Sequence, residues 1–167
     1  FQGEAIFSAP PDAREVERLR RRYHAPYHAA LAATLEGLRA RFGHAVLVDA
    51  HSVASVPSRL HGPLEHHVYL GDRDGETCGR WLRETLTEGF AAAGLEIAHN
   101  RPYKGGYTTD HYGRLEAVQA IQIEMCQRVY MDEADPAGGP DHPRFAAARA
   151  ILRDCFERLL ARPELGG

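Results

Sequence analysis

No apolar run in the chain approaches the roughly 18 residues that a membrane-spanning helix needs, so no such helix is expected. No signal-peptide pattern opens it. Neither sign of charge dominates: 20 Lys and Arg face 23 Asp and Glu, a formal net charge of −3, which offers no footing for a nucleic-acid surface. Cysteine is scarce. Cys78, Cys126 and Cys155 are odd in number and show no C-x-x-C or zinc-finger spacing, which excludes a disulfide framework and reads as reduced thiols in a cytoplasmic protein. There is no internal repeat, low-complexity tract or linker long enough to divide the chain. Its 167 residues, 44% hydrophobic and 26% charged, therefore read as a single α/β domain over 1–167 with a core of its own. There is also no initiator Met. Phe1-Gln2-Gly3 reads either as the scar of a cleaved tag or as native sequence left by a missing upstream segment.

Histidine is plentiful, with ten residues, and this keeps metal chemistry open. The chain is organised around Val46-Leu47-Val48-Asp49-Ala50-His51-Ser52, a short β-branched run that becomes polar at its end. Ligands of open α/β sheets bind outside the carboxyl ends of strands. A histidine there serves as metal ligand or general base, or merely caps the turn. Further apolar runs at 67–70, 96–98 and 120–126 predict three more strands. In the last of these, Glu124 and Gln122 interrupt an otherwise apolar stretch. A carboxylate there is costly unless it is paired, metal-linked or functional, and burial would raise its pKa toward that of a general base.

Asp12-Ala13-Arg14-Glu15 is a capping box. Val16, Leu19, Tyr23, Tyr27, Leu31, Leu35 and Leu38 follow at helical spacing, which predicts a helix over 12–42 that kinks or restarts at Pro26. His24 and His28 stand one helical turn apart, a spacing that can hold a metal, although packing or hydrogen bonding by His28 suits the missing carboxylate better. Helices are also expected over 76–93, stopped by Gly94, and over 143–161, closed by Pro163 and Gly166-Gly167. The stretch 100–114, with two adjacent glycines, three tyrosines and several cations, predicts a ligand-binding loop. Helices alternating with short strands argue for a central mixed, largely parallel sheet flanked by helices.

Several of these stretches together resemble the N-formylglutamate amidohydrolase family. They are Tyr27-His28, Val48-Asp49-Ala50-His51-Ser52, Leu70-Gly71-Asp72-Arg73, Asn100-Arg101-Pro102-Tyr103-Lys104-Gly105-Gly106-Tyr107, Tyr112-Gly113, Ile121-Gln122-Ile123-Glu124 and Tyr130-Met131-Asp132-Glu133. They occur in the family's order over roughly 4–160. The resemblance implies a fold like that of the zinc carboxypeptidases (phosphorylase/hydrolase-like). It also implies hydrolysis of N-formyl-L-glutamate, or a related N-acyl amino acid, to formate and glutamate in histidine breakdown. By the same resemblance His51 is a zinc ligand and Glu124 the water-activating base. Arg73, Asn100, Arg101 and Tyr107 lie in or near the substrate-binding region, facing a small carboxylate-bearing substrate.

One departure stands out. The family carries two more metal ligands in an earlier segment, a His in a Pro-His-Ser-Gly-type stretch and an acidic residue after it. Nothing of the kind precedes Glu4, so two further zinc ligands are expected upstream of residue 1. The alternative expectation is a non-catalytic anion- or amino-acid-binding module that has lost the metal segment. A serine mechanism at Ser52 is disfavoured, because no G-x-S-x-G elbow surrounds it.

Overall fold

The computed structural model describes residues 4–59 and 61–165. The tag-scar reading of Phe1-Gln2-Gly3 and the stop at Gly166-Gly167 lie outside the described residues. α1 (Ala13–Leu19) opens on Asp12, whose side chain accepts from the Glu15 N–H at 2.8 Å. A π-helical turn at Arg20–His24 runs without a break into α2 (Ala25–Phe42); His24 keeps helical backbone angles, so Pro26 sits inside a continuous helical path and removes one of its N–H donors. The expected apolar stripe is only partly used: Leu35 is buried, whereas Val16, Tyr23, Tyr27 and Leu38 are exposed. Helical spacing predicts that a face exists, but not that something covers it.

The strands are β1 (Ala45–Val53), β2 (Val68–Gly71), β3 (Ile97–His99) and β4 (Val118–Cys126). They form one sheet in the order β1-β4-β2-β3. β1 runs parallel to β4 and β2 parallel to β3, but the central β2–β4 pairing is antiparallel. The sheet is thus mixed, as expected, with its two halves running in opposite senses. Among the described residues between β1 and β2 no helix carries the chain back along the sheet, and β2 returns in the reverse direction. α3 (Arg80–Ala92) does join β2 to β3 as a parallel crossover.

α3 begins four residues later than its apolar pattern suggests. Residues 76–79 are committed to the sheet instead: the Thr77 hydroxyl donates to the Ala120 carbonyl at 2.9 Å, and the Ala120 N–H donates to the Thr77 carbonyl at 2.8 Å. The expected loop 100–114 contains a helix, α4 (Tyr107–Gly113), held down by buried Thr109 and Tyr112.

Side chains alternate across a strand, so the sheet sorts its residues by parity. One face presents Val46, Val48, Val68, Leu70, Ile121, Ile123 and Met125. It packs against Leu82, Leu86 and Phe90 of α3 and Cys155 and Leu159 of α5 (Pro143–Leu160), which together form the main core. The other face has two smaller apolar clusters. Ala45, Leu47 and Val118 lie under Leu31 and Leu35 of α2 and Tyr112 of α4, while Val53, Tyr69, Ala98 and Cys126 lie under Leu64 and Tyr103. Between those clusters this second face is polar.

Candidate active site

Asp49 and His51 on β1 and Gln122 and Glu124 on β4 have the parity of the second face. The parallel register sets Asp49 beside Gln122 and His51 beside Glu124. Two polar residues at i, i+2 in each of two adjacent strands therefore make a four-residue polar floor. Gln122 and Glu124 are buried, and His51 is open. His51 Nε2 lies 2.9 Å from Asp49 Oδ1. That contact leaves Nδ1 as the outward-facing ring nitrogen and matches the way a carboxylate orients a metal-binding imidazole.

The orientation of Gln122 follows from its neighbours. The Gly106 N–H donates to Gln122 Oε1 at 3.0 Å, so Nε2 must face the other way, and it donates to Glu124 Oε2, also at 3.0 Å. One Glu124 oxygen is thereby held, and the other remains available as an acceptor. Burial pushes the Glu124 carboxyl above the ordinary carboxylate range, and Asp49 adds to this. The His51 and His61 imidazoles and the Gln122 hydrogen bond oppose it without cancelling it. Tyr103 also looks onto this carboxylate. Burial first, and Glu124 second, push its hydroxyl up to about 12, which keeps it a neutral donor.

The loops above the floor are seated by close contacts. Gly71 accommodates the 100–106 loop directly: a β-carbon there would meet the Gly105 nitrogen at 2.5 Å and the Lys104 carbonyl carbon at 2.6 Å. Asn100, at φ 59°, spends its side chain on buried Asp72. Its Oδ1 accepts from the Asp72 N–H at 3.0 Å, and its Nδ2 donates to Asp72 Oδ1 at 2.8 Å. Arg83 closes the same carboxylate from the other side at 2.7 Å. Arg73, also left-handed at φ 55°, donates its N–H to the Lys104 carbonyl at 2.8 Å, and its guanidinium lies 3.5 Å from Asp110. Arg101 is exposed, next to a cis Arg101–Pro102 peptide.

Tyr107 is exposed and joins a histidine cluster beyond the floor, stacking on His111 at 5.2 Å between ring centroids and meeting His28 edge-on at 5.2 Å. Tyr112 donates its hydroxyl proton to the His28 carbonyl at 3.0 Å, so its oxygen accepts from His28 Nδ1 at 2.9 Å. Burial lowers the His28 pKa below the ordinary imidazole range, and His24 and His111 add to this.

The expectation of a site outside the carboxyl ends of the strands needs correction for three residues. Asp49, His51 and Glu124 lie within β1 and β4 and gather on the face of the sheet. Arg73 and Asn100 follow β2 and β3, which run the other way, and both side chains are engaged in holding the loop. Ser52 has the opposite parity to His51, and its hydroxyl accepts from Tyr130 at 2.9 Å, away from the polar floor. Sequence reasoning passed over Gln122 as a site residue, along with Tyr103 and His61. The signal for Gln122 was present in the matched i, i+2 polar pairs of two apolar strands. Tyr103 meets Tyr69, the cross-strand neighbour of Glu124, at 5.9 Å between ring centroids, and His61 meets Tyr103 at 5.8 Å, through loop geometry that no spacing encodes.

A catalytic zinc requires about three protein ligands plus water. Among the described residues no group of three His, Cys, Asp or Glu is arranged to hold a metal ion. His51 has the bearing of one ligand, and by itself it does not make the site. Among the described residues no helix is long and apolar enough to cross a membrane.

Residues 1–131 match the family profile of N-formylglutamate amidohydrolase. The N-formylglutamate deformylase of Pseudomonas aeruginosa is 39% identical, over 96% of this chain and 62% of its own length. That of Pseudomonas putida is 37% identical, over 81% of this chain and 52% of its own. The crystal structure of N-formylglutamate amidohydrolase from Ralstonia eutropha superposes with a TM-score of 0.68 at 33% identity, covering 88% of this chain and 52% of that one. A gene product of Agrobacterium tumefaciens, at 19% identity and a TM-score of 0.64, shares the fold. The chain thus spans between about half and two thirds of the length of these relatives.

Proposed function

The chain belongs to the N-formylglutamate amidohydrolase family, and from that premise we propose that it serves the hydrolysis of N-formyl-L-glutamate to formate and glutamate, with Glu124 as general base. The observation that carries this reading is the pairing of His51 with Glu124 across β1 and β4 on one polar face, with the Glu124 carboxyl raised by burial.

The chemistry follows from the atoms. Gln122 holds one Glu124 oxygen, so the other takes a proton from water as that water adds to the formyl carbon. The C–N bond then breaks, and the same proton passes to the departing nitrogen. Formic acid and the neutral amine of glutamate result, and the acid's remaining proton passes to the amine, giving formate and the ammonium group. A carboxylate with a pKa above its ordinary range is suited to both halves of this transfer, because it accepts a proton more readily than an exposed one and still releases it.

Zinc belongs to the same proposal, with His51 as one ligand through Nδ1 and further ligands from outside the described residues. When bound, zinc supplies carbonyl polarisation and a more acidic water. Arg73, Arg101 and Tyr107 are proposed to serve the carboxylate-bearing substrate. Of these, Arg101 has the most exposed guanidinium, whereas Asn100 acts through Asp72 as a brace of the loop.

Formate release from N-formyl-L-glutamate by the full natural polypeptide tests the reading. Glu124→Gln, nearly isosteric and unable to take the proton, is expected to lower turnover by roughly 10²- to 10⁴-fold. Turnover of the variant at the wild-type rate would refute the base assignment. A wild type that binds N-formylglutamate without releasing formate would leave the binding-module alternative.

A further inference from the structure

Four residues beyond His51 lies Ser55, and four residues beyond Glu124 lies Arg128. Both backbone N–H groups donate to the same atom, Glu133 Oε1, at 2.8 Å from Ser55 and 3.0 Å from Arg128. The Ser55 hydroxyl donates to Glu133 Oε2. One half-buried carboxylate therefore ties the exits of β1 and β4 at equal distance from the cross-strand pair. Arg128 fastens the far end of the same loop: Nη1 donates to the Leu64 carbonyl at 2.8 Å, and Nη2 to the Glu65 and His66 carbonyls at 3.0 and 2.7 Å. The Cys126 N–H adds a bond to the His67 carbonyl at 2.9 Å. The β1–β2 loop, which brings His61 toward Glu124, thus hangs at both ends from the exit of β4.

We propose that Glu133 is a positioning residue for the hydrolysis, setting the placement of His51 against Glu124 by joining the exits of their strands. This rests on the catalytic reading of those two residues. Among the described residues β1 has β4 as its one neighbour in the sheet, so the end of β1 is steadied by that pairing and by whatever holds its exit. Without the carboxylate, two N–H groups and a hydroxyl lose their acceptor where the two strands leave the sheet. A displacement of about 1 Å between reacting groups, caused by a change away from the chemistry, can cost on the order of 100-fold in rate. Two backbone donors on one carboxylate oxygen are also a charge-assisted arrangement: burial raises the Glu133 pKa, and the Ser55 hydroxyl, the two N–H groups and the Arg128 charge together outweigh it and bring the carboxyl below its ordinary range.

The experiment is steady-state formate release by the full natural polypeptide, with amide hydrogen exchange and melting on the same samples. Glu133→Ala is expected to lower kcat by roughly 10- to 100-fold with KM changed less than about threefold. The Ser55 and Arg128 amides should exchange at least about tenfold faster, while Ile121 and Ile123 in mid-strand stay protected. Glu133→Gln keeps one oxygen for both backbone donors and is expected to retain most of kcat; a purely electrostatic role would not be rescued in this way, and a purely folding role would lower the melting temperature of Glu133→Ala while leaving the kcat of its folded fraction unchanged. If Glu133→Ala does not fold, Glu133→Asp, too short by one methylene to span both amides, takes its place with the same expectations. An active wild type whose Ala or Asp variant keeps kcat, or whose Gln variant falls as far as Ala, overturns this inference alone. An inactive wild type overturns it together with the catalytic reading.

Discussion

At the scale of single residues, Glu124 and Asn100 illustrate opposite outcomes. Glu124 was legible because a carboxylate in an apolar strand demands an explanation, and it lies buried opposite His51. Its raised pKa carries a signed consequence for stability. Below the unfolded pKa of about 4.3 the carboxyl is protonated in both states, and its contribution is fully present. As pH rises, the unfolded chain ionises first, so stability falls until the folded carboxyl ionises too. Glu124→Gln removes that loss. Its melting temperature should match wild type near about pH 4 and equal or exceed it near about pH 7. A variant several degrees less stable at neutral pH would mean that the ionised carboxylate is a net structural asset. Asn100 looked like a substrate ligand from its neighbours, but its amide completes the hydrogen bonding of Asp72, which is 1% exposed. Asn100→Ala should therefore cost on the order of 1–3 kcal/mol of stability. Arg101→Ala, at an exposed position, should leave melting unchanged and raise KM by about tenfold or more with kcat retained, the pattern of lost uniform binding. The reverse pattern would exchange the two roles.

At the scale of elements, the four strands and the long helices were visible in the sequence because each carries its own period and caps. What one element does to another was not. The start of α3 is set by Thr77 bonding across to Ala120, and α4 forms from Tyr-Thr-Thr-Asp-His-Tyr-Gly, a poor helix sequence, because Thr109 and Tyr112 are buried against the sheet. The sense of β2 was equally hidden, since no single strand records which neighbour it will take. Gly71 marks the most exacting contact between elements, with the backbone of the 100–106 loop where a side chain would otherwise stand. Gly71→Ala must push that loop away, at about 1–3 kcal/mol by analogy with overpacking. The shift should also free the Gly106 N–H from Gln122, so formate release should fall together with melting temperature. Gly37→Ala is the control: it lies within α2 with open space around it, and should gain about 0.4–1 kcal/mol with activity unchanged. Equal effects at the two glycines would show that the loop is not seated as described.

At the scale of the whole molecule, the sheet provides one polar face with a buried carboxylate, while roughly two fifths to a half of each relative's own length lies outside what this chain aligns with. His51 is where these facts meet. Its Nε2 is turned to Asp49, so the nitrogen left for a metal is Nδ1 on an open side chain of the sheet's edge strand. If zinc joins there, three substitutions should separate by zinc content measured on the purified full natural polypeptide. His51→Ala deletes a ligand, so zinc occupancy and turnover should fall together. Asp49→Asn keeps the ligand but weakens its orienting partner, and should reduce metal affinity by about 10- to 100-fold, with activity recovered in excess zinc. Glu124→Gln removes the base alone and should keep its zinc while losing turnover. This ordering depends on the division of labour between the two strands, with β1 binding the metal and β4 moving the proton. Zinc retained in full by His51→Ala would sever β1 from the metal, and zinc lost from Glu124→Gln would make the β4 carboxylate a ligand in place of a base.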